Sequence, residues 1–217
     1  MADIFREVDE EVRRERLKQL WERYSLLIIA GCVLVVVAIA GWRGYEWYVA
    51  REAAAAGARF EAAAALMDQG KTKEAEAAFS EIAKSGPGGY PILARLREAN
   101  ALWSSDKAAA VKTYEAIAQD GSVPTVFQDL ASVRAGLLLV DTASLSDMQR
   151  RLEPLTDSSR AFRHSARELL ALSAWHNNDA GAAKKYLDEI AKDGATPAGV
   201  RGRADVLNAL IAGTGKG

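Results

Sequence analysis

The sequence has very few of the residues that usually build catalytic or metal sites. Its 217 residues include one cysteine, Cys32, and two histidines, His164 and His176. A single cysteine excludes an intramolecular disulfide, and a thiol surrounded by Val and Ile is a small hydrophobe and not a nucleophile. Neither histidine has a cysteine or carboxylate at metal-ligand spacing, so we expect both on helix surfaces and predict no metal and no cofactor.

The chain also lacks the net charge that would attract nucleic acid. It holds 28 Lys and Arg against 29 Asp and Glu, a net charge of −1. The first 25 residues carry six basic and seven acidic side chains, which leaves 22 of each in the remainder. A domain with balanced charge has no electrostatic footprint for nucleic acid, so we expect none to bind.

No catalytic constellation is visible either. The stretch GTGKG at residues 213–217 resembles a phosphate-binding loop, but no strand precedes it and the required Ser or Thr is missing. We interpret residues 213–217 as a flexible tail and predict that the protein is not an enzyme.

One long apolar run is present. Leu26 to Trp42 contains no charge, and a helix of this length spans about 25 Å, near the lower limit for crossing a bilayer. Small residues in or beside the run suit close packing against a membrane partner, namely Ala30, Gly31 and Gly41. Aromatic side chains cluster at both ends, as at the two interfaces of a membrane: Trp21, Tyr24, Trp42, Tyr45, Trp47 and Tyr48. We predict a retained transmembrane helix over residues 24–48, in contact with lipid.

The run has two other interpretations, a cleaved signal peptide and a soluble core helix. Ala38-Ile39-Ala40 resembles a signal-peptide cleavage site, but an acidic segment of about 25 residues precedes the run, whereas a secretory leader begins with a short basic segment. A soluble core helix has no reason to carry rings at both ends. Six Lys and Arg precede the run, against Arg43, Arg51 and Arg59 after it, which predicts a cytoplasmic N-terminus. No proline or turn cluster follows, so we expect the helix to continue outward.

Residues 1–23 predict an amphipathic cytoplasmic helix. Ile4, Val8 and Val12 fall at positions i, i+4 and i+8. Such a face can contact a partner or the membrane surface, or it can be a solvated lead-in to the anchor.

A repeated pattern organises residues 49–212. A small residue, a large one four positions on and another large one seven positions on recur from Ala75, Ala110, Met148 and Ala183, which are 35, 38 and 35 residues apart. Three copies end in IAKSG, IAQDG and IAKDG, where glycine suits a left-handed helix cap. A period of 34–38 residues is typical of tetratricopeptide arrays. We predict an all-α fold: a cytoplasmic helix, one transmembrane helix, and a tetratricopeptide-like α-solenoid of about four degenerate repeats with a capping helix at 198–212.

The first helices of the units fit this pattern with one break. The alignment puts Ala63, Gly136 and Ala171 at the small position of helix one, whereas the second unit has Glu98 there. The third unit is degenerate, because Met148 replaces the second-helix alanine and Pro154 interrupts the helix.

A helical array of this kind binds other proteins through the face built from its first helices. Trp103 and Trp175 are the best binding candidates, because aromatic anchors dominate interface energies. Core packing between neighbouring units is the alternative role for both rings. The aligned inner positions are Arg95, Trp103, Val140, Glu168, Trp175 and His176.

The whole pattern resembles the YfgM-type family of ancillary subunits of the bacterial Sec translocon. The resemblance rests on the opening DIFREVDEE, the aromatic approach to one membrane helix and the degenerate tetratricopeptide region. It implies a single-pass inner-membrane protein with a cytoplasmic N-terminus and a periplasmic repeat domain. The family is thought to link the translocon to periplasmic chaperones and exported proteins, and it offers no catalytic or binding residues to carry over. A structural or assembly accessory of another inner-membrane complex (respiratory, photosynthetic or envelope assembly) is the alternative.

Overall fold

The computed structural model describes the backbone of residues 2–214 and the side chains of residues 14, 15, 18, 19 and 21–213. The predicted apolar face of Ile4, Val8 and Val12, and residues 215–217 of the predicted tail, lie outside these sets. All regular elements in the described chain are helical, in this order: α1 Ala2–Asp68, α2 Thr72–Ser85, α3 Tyr90–Leu102, α4 Lys107–Ala118, α5 Thr125–Leu139, α6 Leu145–Leu152, α7 Arg163–His176, α8 Ala180–Lys192 and α9 Ala198–Thr214, with a 3-10 turn at Glu153–Leu155 between α6 and α7. The final helix includes Gly213 and Thr214, so it ends two residues beyond the predicted cap.

The chain divides into two compact units, Met1–Ala54 and Ala55–Gly217. Within the first unit, the apolar run of α1 keeps its large side chains in the open, with Leu26 80% and Val36 65% exposed. By length and composition, the stretch of α1 from Trp21 onward is able to cross a membrane, and it is the one such helix in the described residues. A signal sequence near an N-terminus meets the same criteria.

The second unit consists of consecutive helix pairs. The part of α1 from Ala55 on pairs with α2, and the pairs α3 with α4, α5 with α6 and α7 with α8 follow before α9. The small and large residues of the sequence pattern form the core of each pair. Most of the buried apolar side chains that the structure describes belong to three clusters, centred on Ala63, Phe79 and Ala94, on Ala99, Tyr114 and Ala135, and on Leu152, Leu170 and Ile190.

The predicted register of the second helices is confirmed by burial. The small positions Ala75, Ala110 and Ala183 and the degenerate Met148 are each 0% exposed. The large residues that follow are buried as well: Phe79, Ile82, Tyr114, Ile117, Leu152, Leu155, Leu187 and Ile190. The expected interruption at Pro154 is also present, because α6 ends at Leu152 and a 3-10 turn replaces its last turn.

The assignment of Glu98 to the small position is wrong by one residue. Ala99 is 0% exposed and belongs to the core cluster with Tyr114, whereas Glu98 is only half-buried. Ala99 and Ala110 are 11 residues apart, whereas Ala171 and Ala183 are 12 apart. The second pair therefore joins its two helices with one residue fewer, which shifts α3 relative to the sequence alignment.

The prediction of left-handed glycine caps is also wrong. Among the described residues, the positive φ values belong to Gly70, Gly88 and Asn178 and not to the glycines of the three recurring endings. Gly86 has φ −70° and its N–H donates to the carbonyl of Ile82 at 2.8 Å. A Cβ at Gly86 would lie 2.6 Å from that same oxygen, so close approach of the backbone is what requires glycine there.

Candidate functional site

The candidate site is a cleft of about 390 Å³ formed mainly by the first helices of successive pairs. Its floor is apolar, because Leu93 and Leu96 of α3 and Leu130 of α5 line it together with the ring of Phe60. Phe60 makes an edge contact with the ring of Phe79 and a tilted contact with the ring of Tyr90, at ring-centroid distances of 5.4 and 6.0 Å. The remaining lining residues are Arg97, Asn100, Tyr114 and Arg134.

Two cations stand at the walls of this cleft. Arg97 of α3 and Arg134 of α5 are exposed, and neither has an ion-pair or hydrogen-bond partner among the side chains that the structure describes. Tyr114 at the base is buried, and this burial raises the pKa of its hydroxyl although the charge of Arg134 acts in the opposite direction. The cleft therefore offers apolar contact area and two uncompensated positive charges in one place, which suits a protein segment carrying both apolar and acidic side chains.

Sequence reasoning missed these residues because of the one-residue register error in α3. With Ala99 rather than Glu98 aligned to Gly136, the offset between the two helices becomes 37 residues. Arg97 and Arg134 are then equivalent positions, as are Leu93 and Leu130. The recurrence of Leu and Arg is therefore present in the sequence. It becomes visible only when the connection between α3 and α4 is known to be one residue shorter than in the other pairs.

Arg95, one of the predicted binding residues, is engaged within its own helix pair. Its guanidinium donates to Oδ2 of Asp120 at 2.7 Å and to the carbonyl of Ala116 at 3.3 Å. Asp120 also accepts from the N–H and hydroxyl of Ser122. The bond from the Ser122 side chain, followed by that from Arg95, lowers the pKa of Asp120 to about 2. These contacts connect α3 to the end of α4.

Glu168, a second predicted binding residue, pairs with Arg203 of α9. Both carboxylate oxygens accept from that guanidinium, with 2.8 Å between Nη2 and Oε2. This ion pair links α7 to the final helix. The hydrogen bonds between Arg203 and Glu168 raise the pKa of Arg203.

The two predicted tryptophans occupy equivalent positions near the ends of α3 and α7. Trp103 is half-buried and Trp175 is 39% exposed, and neither belongs to the three core clusters of the described chain. Val140, at the corresponding place after α5, packs against the third cluster. His176 is exposed at the end of α7. The assignment of Trp103, Trp175 and His176 to partner binding remains a prediction.

His164 departs from its expected surface position. It is 8% exposed, with Nδ1 3.2 Å from Oγ1 of Thr196 and 3.7 Å from Oδ2 of Asp193. Burial, followed by the charge of Arg163, lowers the pKa of its imidazole. These contacts are structural, and among the residues that the structure describes no group of three or more His, Cys, Asp or Glu side chains is arranged to hold a metal ion.

The aromatic residues of the apolar helix are exposed and make local contacts with charged neighbours. The indole of Trp42 donates to Glu46 at 2.9 Å, and the hydroxyl of Tyr48 donates to Glu52 at 2.9 Å. The guanidinium of Arg51 lies 5.4 Å from the ring centre of Trp47. No atom that the structure describes would meet a Cβ within 4 Å at Gly31 or Gly41. The predicted roles at a membrane interface and in helix packing stay predictions.

A comparison with protein-family models places this architecture. The model described as a tetratricopeptide repeat-like domain matches residues 18–170. Neither the curated proteins nor the solved structures contain a match to the chain. Domains of this kind are typically non-enzymatic modules that bind other proteins, which fits helix pairs with an open cleft. Because the match covers most of the sequence, the chain belongs to the family of tetratricopeptide repeat-like domain proteins.

Proposed function

We propose that the protein is a membrane-anchored, non-enzymatic scaffold that binds segments of other proteins in the cleft between α1, α3 and α5. The observation that carries this function is the cleft itself, in which Leu93, Leu96 and Leu130 form an apolar floor beside Arg97 and Arg134. Apolar side chains provide contact area and the two cations select acidic neighbours. Trp103 and Trp175 are additional candidate anchors for the partner.

We further propose that α1 anchors the protein in a bacterial inner membrane, with the N-terminus cytoplasmic and the repeat domain periplasmic. The exposed apolar run, its aromatic ends and the excess of Lys and Arg before it support this assignment. The resemblance to YfgM-type proteins adds a specific setting: an ancillary subunit of the Sec translocon that connects protein export to periplasmic chaperones.

The alternative is an accessory subunit of another inner-membrane complex. The small residues Ala30, Gly31 and Gly41 favour it to the same degree, because they permit close packing against a membrane helix of any partner. Crosslinking from Cys32 of the full-length protein, followed by identification of the linked helix, distinguishes a translocon subunit from a subunit of another complex.

Site-specific photocrosslinking in intact membranes tests binding in the cleft. A benzoylphenylalanine replaces Asn100, which lines the cleft, and the control probe replaces Lys112 on the exposed side of α4. We expect translocon subunits, exported proteins or chaperones to be linked at Asn100 and not at Lys112. Equal linking at both positions, or none at Asn100, would contradict binding in the cleft.

A further inference from the structure

A short motif recurs in three of the first helices. The sequence Ala-Arg, three variable residues and Ala ends at the small position of the first helix at residues 58–63, 94–99 and 166–171, and it occurs once more, outside this register, at residues 50–55. The arginines in this register are Arg59, Arg95 and Arg167. In α5 the corresponding stretch begins Ala131-Ser132, so the third pair lacks the arginine.

Two of these arginines bind a carboxylate at the end of the second helix of their pair, and we call this contact the arginine clamp. Arg95 donates to Oδ2 of Asp120 at 2.7 Å, and Arg167 donates to Oδ2 of Asp193 at 3.0 Å. Each aspartate directly precedes the glycine that follows the second helix. In both pairs a first-helix guanidinium is therefore bound to a carboxylate at the end of the second helix.

The first pair keeps the arginine but has no aspartate. Residues 81–86 read EIAKSG and residues 189–194 read EIAKDG, so Ser85 stands where the last pair has Asp193. The hydroxyl of Ser85 donates to the carbonyl of Glu81 at 3.0 Å. Arg59 is exposed and has no ion-pair or hydrogen-bond partner among the described residues.

A pocket of about 220 Å³ opens beside this unmatched arginine. Most of its lining residues are small or apolar, and they include Ala62, Leu66, Ala78 and Ile82. Arg59, Glu81 and Ser85 are its polar lining residues. The volume is below the roughly 300–1,000 Å³ of typical small-molecule sites, which favours one or two protein side chains as the occupant.

Glu81 does not prevent a second carboxylate from binding there. It corresponds to Glu189, whose Oε2 lies 3.4 Å from Nε of Arg167 while Nη1 of the same arginine holds Asp193. One guanidinium of this motif thus lies beside two carboxylates at once, hydrogen-bonded to Asp193 through Nη1 and within ion-pair distance of Glu189 at Nε, which itself makes no hydrogen bond in the described chain. In the first pair Glu81 keeps the place of the first carboxylate in the sequence, although it makes no ion pair with Arg59 in the described chain, and Ser85 leaves the place of the second without a carboxylate.

We propose that this pocket, the open clamp, binds an Asp or Glu side chain of a partner protein. Arg59 receives the carboxylate, and a small apolar side chain next to it on the partner packs against Leu66 and Ala78. The carboxylate of the partner thereby makes with Arg59 the contact that Asp120 makes with Arg95 and Asp193 makes with Arg167. The open clamp is separate from the cleft at Arg97 and Arg134, and each can fail without the other.

A double-mutant cycle tests, without any ligand, whether Arg59 can bind a carboxylate placed at position 85. Ser85→Asp makes residues 81–86 identical to residues 189–194. Because Pro87 has no N–H to donate, Arg59 is then the main group that can bind the new carboxylate. We expect Ser85→Asp to raise the melting temperature by about 2–4 °C and to lose this gain when combined with Arg59→Ala. An equal response to Ser85→Asp with and without Arg59 would overturn the geometry.

Photocrosslinking from Ala62 tests the partner. Benzoylphenylalanine at this pocket residue of the full-length protein in its membranes is followed by mass spectrometry of the linked peptide. We expect a peptide of another protein that contains Asp or Glu, with roughly tenfold less product for Arg59→Gln and Ser85→Asp, since loss of one charged hydrogen bond has about that effect. Arg97→Gln, in the separate cleft, serves as the control and leaves the yield unchanged.

Exchange of charges gives the decisive result. Arg59→Glu abolishes the product, and replacement of the partner's acidic residue by Arg restores it. Products with lipid alone, with a second copy of this chain, or with a yield that ignores Arg59 and Ser85 would each overturn the proposal. Loss of crosslinks at Asn100 with retention at Ala62 would contradict the cleft and leave the open clamp standing.

Discussion

The turn after α2 depends on one glycine for space. A Cβ at Gly86 would lie 2.6 Å from the carbonyl oxygen and 3.2 Å from Cγ2 of Ile82, which is buried. We expect Gly86→Ala to destabilise the domain by about 1–3 kcal/mol, because the backbone of α2 has to move. Thermal unfolding measures the effect. Gly121→Ala is the matched control, since no described atom lies within 4 Å of its Cβ, and a change of at most about 0.5 kcal/mol is expected.

Ser173 of α7 is a buried polar residue whose hydroxyl makes no hydrogen bond within the described chain. Its side chain is 0% exposed and its hydroxyl has no partner among the described residues. Because an unsatisfied buried hydroxyl costs free energy, Ser173→Ala is expected to leave stability unchanged or raise it by about 1 kcal/mol. Thr196→Val is the contrast, since that hydroxyl donates to the carbonyl of Ile190 at 2.8 Å. A marked loss of stability for Ser173→Ala in chemical denaturation would contradict the expectation.

At the scale of the helices, Arg167 and Arg59 occupy equivalent positions, but only Arg167 forms the arginine clamp. Arg167 is 12% exposed and bonds to Asp193 and to the carbonyl of Thr156, whereas Arg59 has neither kind of contact in the described chain. We expect Arg167→Ala to cost about 2–4 kcal/mol, because it leaves a partly buried carboxylate and a carbonyl short of a donor. Arg59→Ala should change the unfolding free energy by no more than about 0.5 kcal/mol. Equal losses at both positions would mean that the clamp is not what distinguishes them.

The junction of α7, α8 and α9 predicts acid sensitivity in two stages. Burial lowers the pKa of His164, so the unfolded chain takes up a proton first, and stability falls as the pH drops below about 6.5. Hydrogen bonds from Arg163, the backbone of Ala195 and Arg167 hold the pKa of Asp193 well below its usual range. Its contribution is complete above about pH 4 and is lost below it.

Urea unfolding at a series of pH values measures both stages of this loss. His164→Gln should remove the stage near neutral pH, and Asp193→Asn should remove the stage below about pH 4. Stability that does not change from pH 7 to pH 5 in the wild-type protein would contradict the role of His164.

The periodicity of the sequence predicts which residues of the helix pairs are buried, but it does not predict the turn lengths or the charge pairs. Spacing alone identified buried positions such as Ala75 and Ile190, because a recurring seam between helices requires small and large residues at fixed offsets. It did not predict the shorter turn before α4, which moved Ala99 into the core and aligned Arg97 with Arg134. Nor did it distinguish Arg95, which has a carboxylate partner, from Arg97, which has none. Charge pairing depends on positions in three dimensions that a pattern along the chain does not contain.

For the whole molecule, the apolar part of α1 decides the compartment in which the repeat domain acts. Leu26 and its neighbours are exposed throughout the run, and exposed apolar surface of this length is stable only in a membrane or against a partner. The cysteine content makes the topology measurable, because Cys32 is the one cysteine of the sequence. In a Cys32→Ser background, Lys112→Cys reports on the repeat domain and Arg14→Cys on the N-terminal side, and both side chains are exposed.

A membrane-impermeant maleimide applied to spheroplasts should therefore label Lys112→Cys at once and Arg14→Cys only after lysis. Labelling in the reverse order would place the repeat domain in the cytoplasm. The intact mass of the same samples tests retention of the anchor, because cleavage after Ala40 would remove 40 residues from the 23.4 kDa chain. We expect the full mass and recovery in the membrane fraction after a high-salt wash, since burial of the apolar run in lipid does not depend on ionic strength. A shortened chain in the soluble fraction would identify the run as a leader and exclude an anchored scaffold.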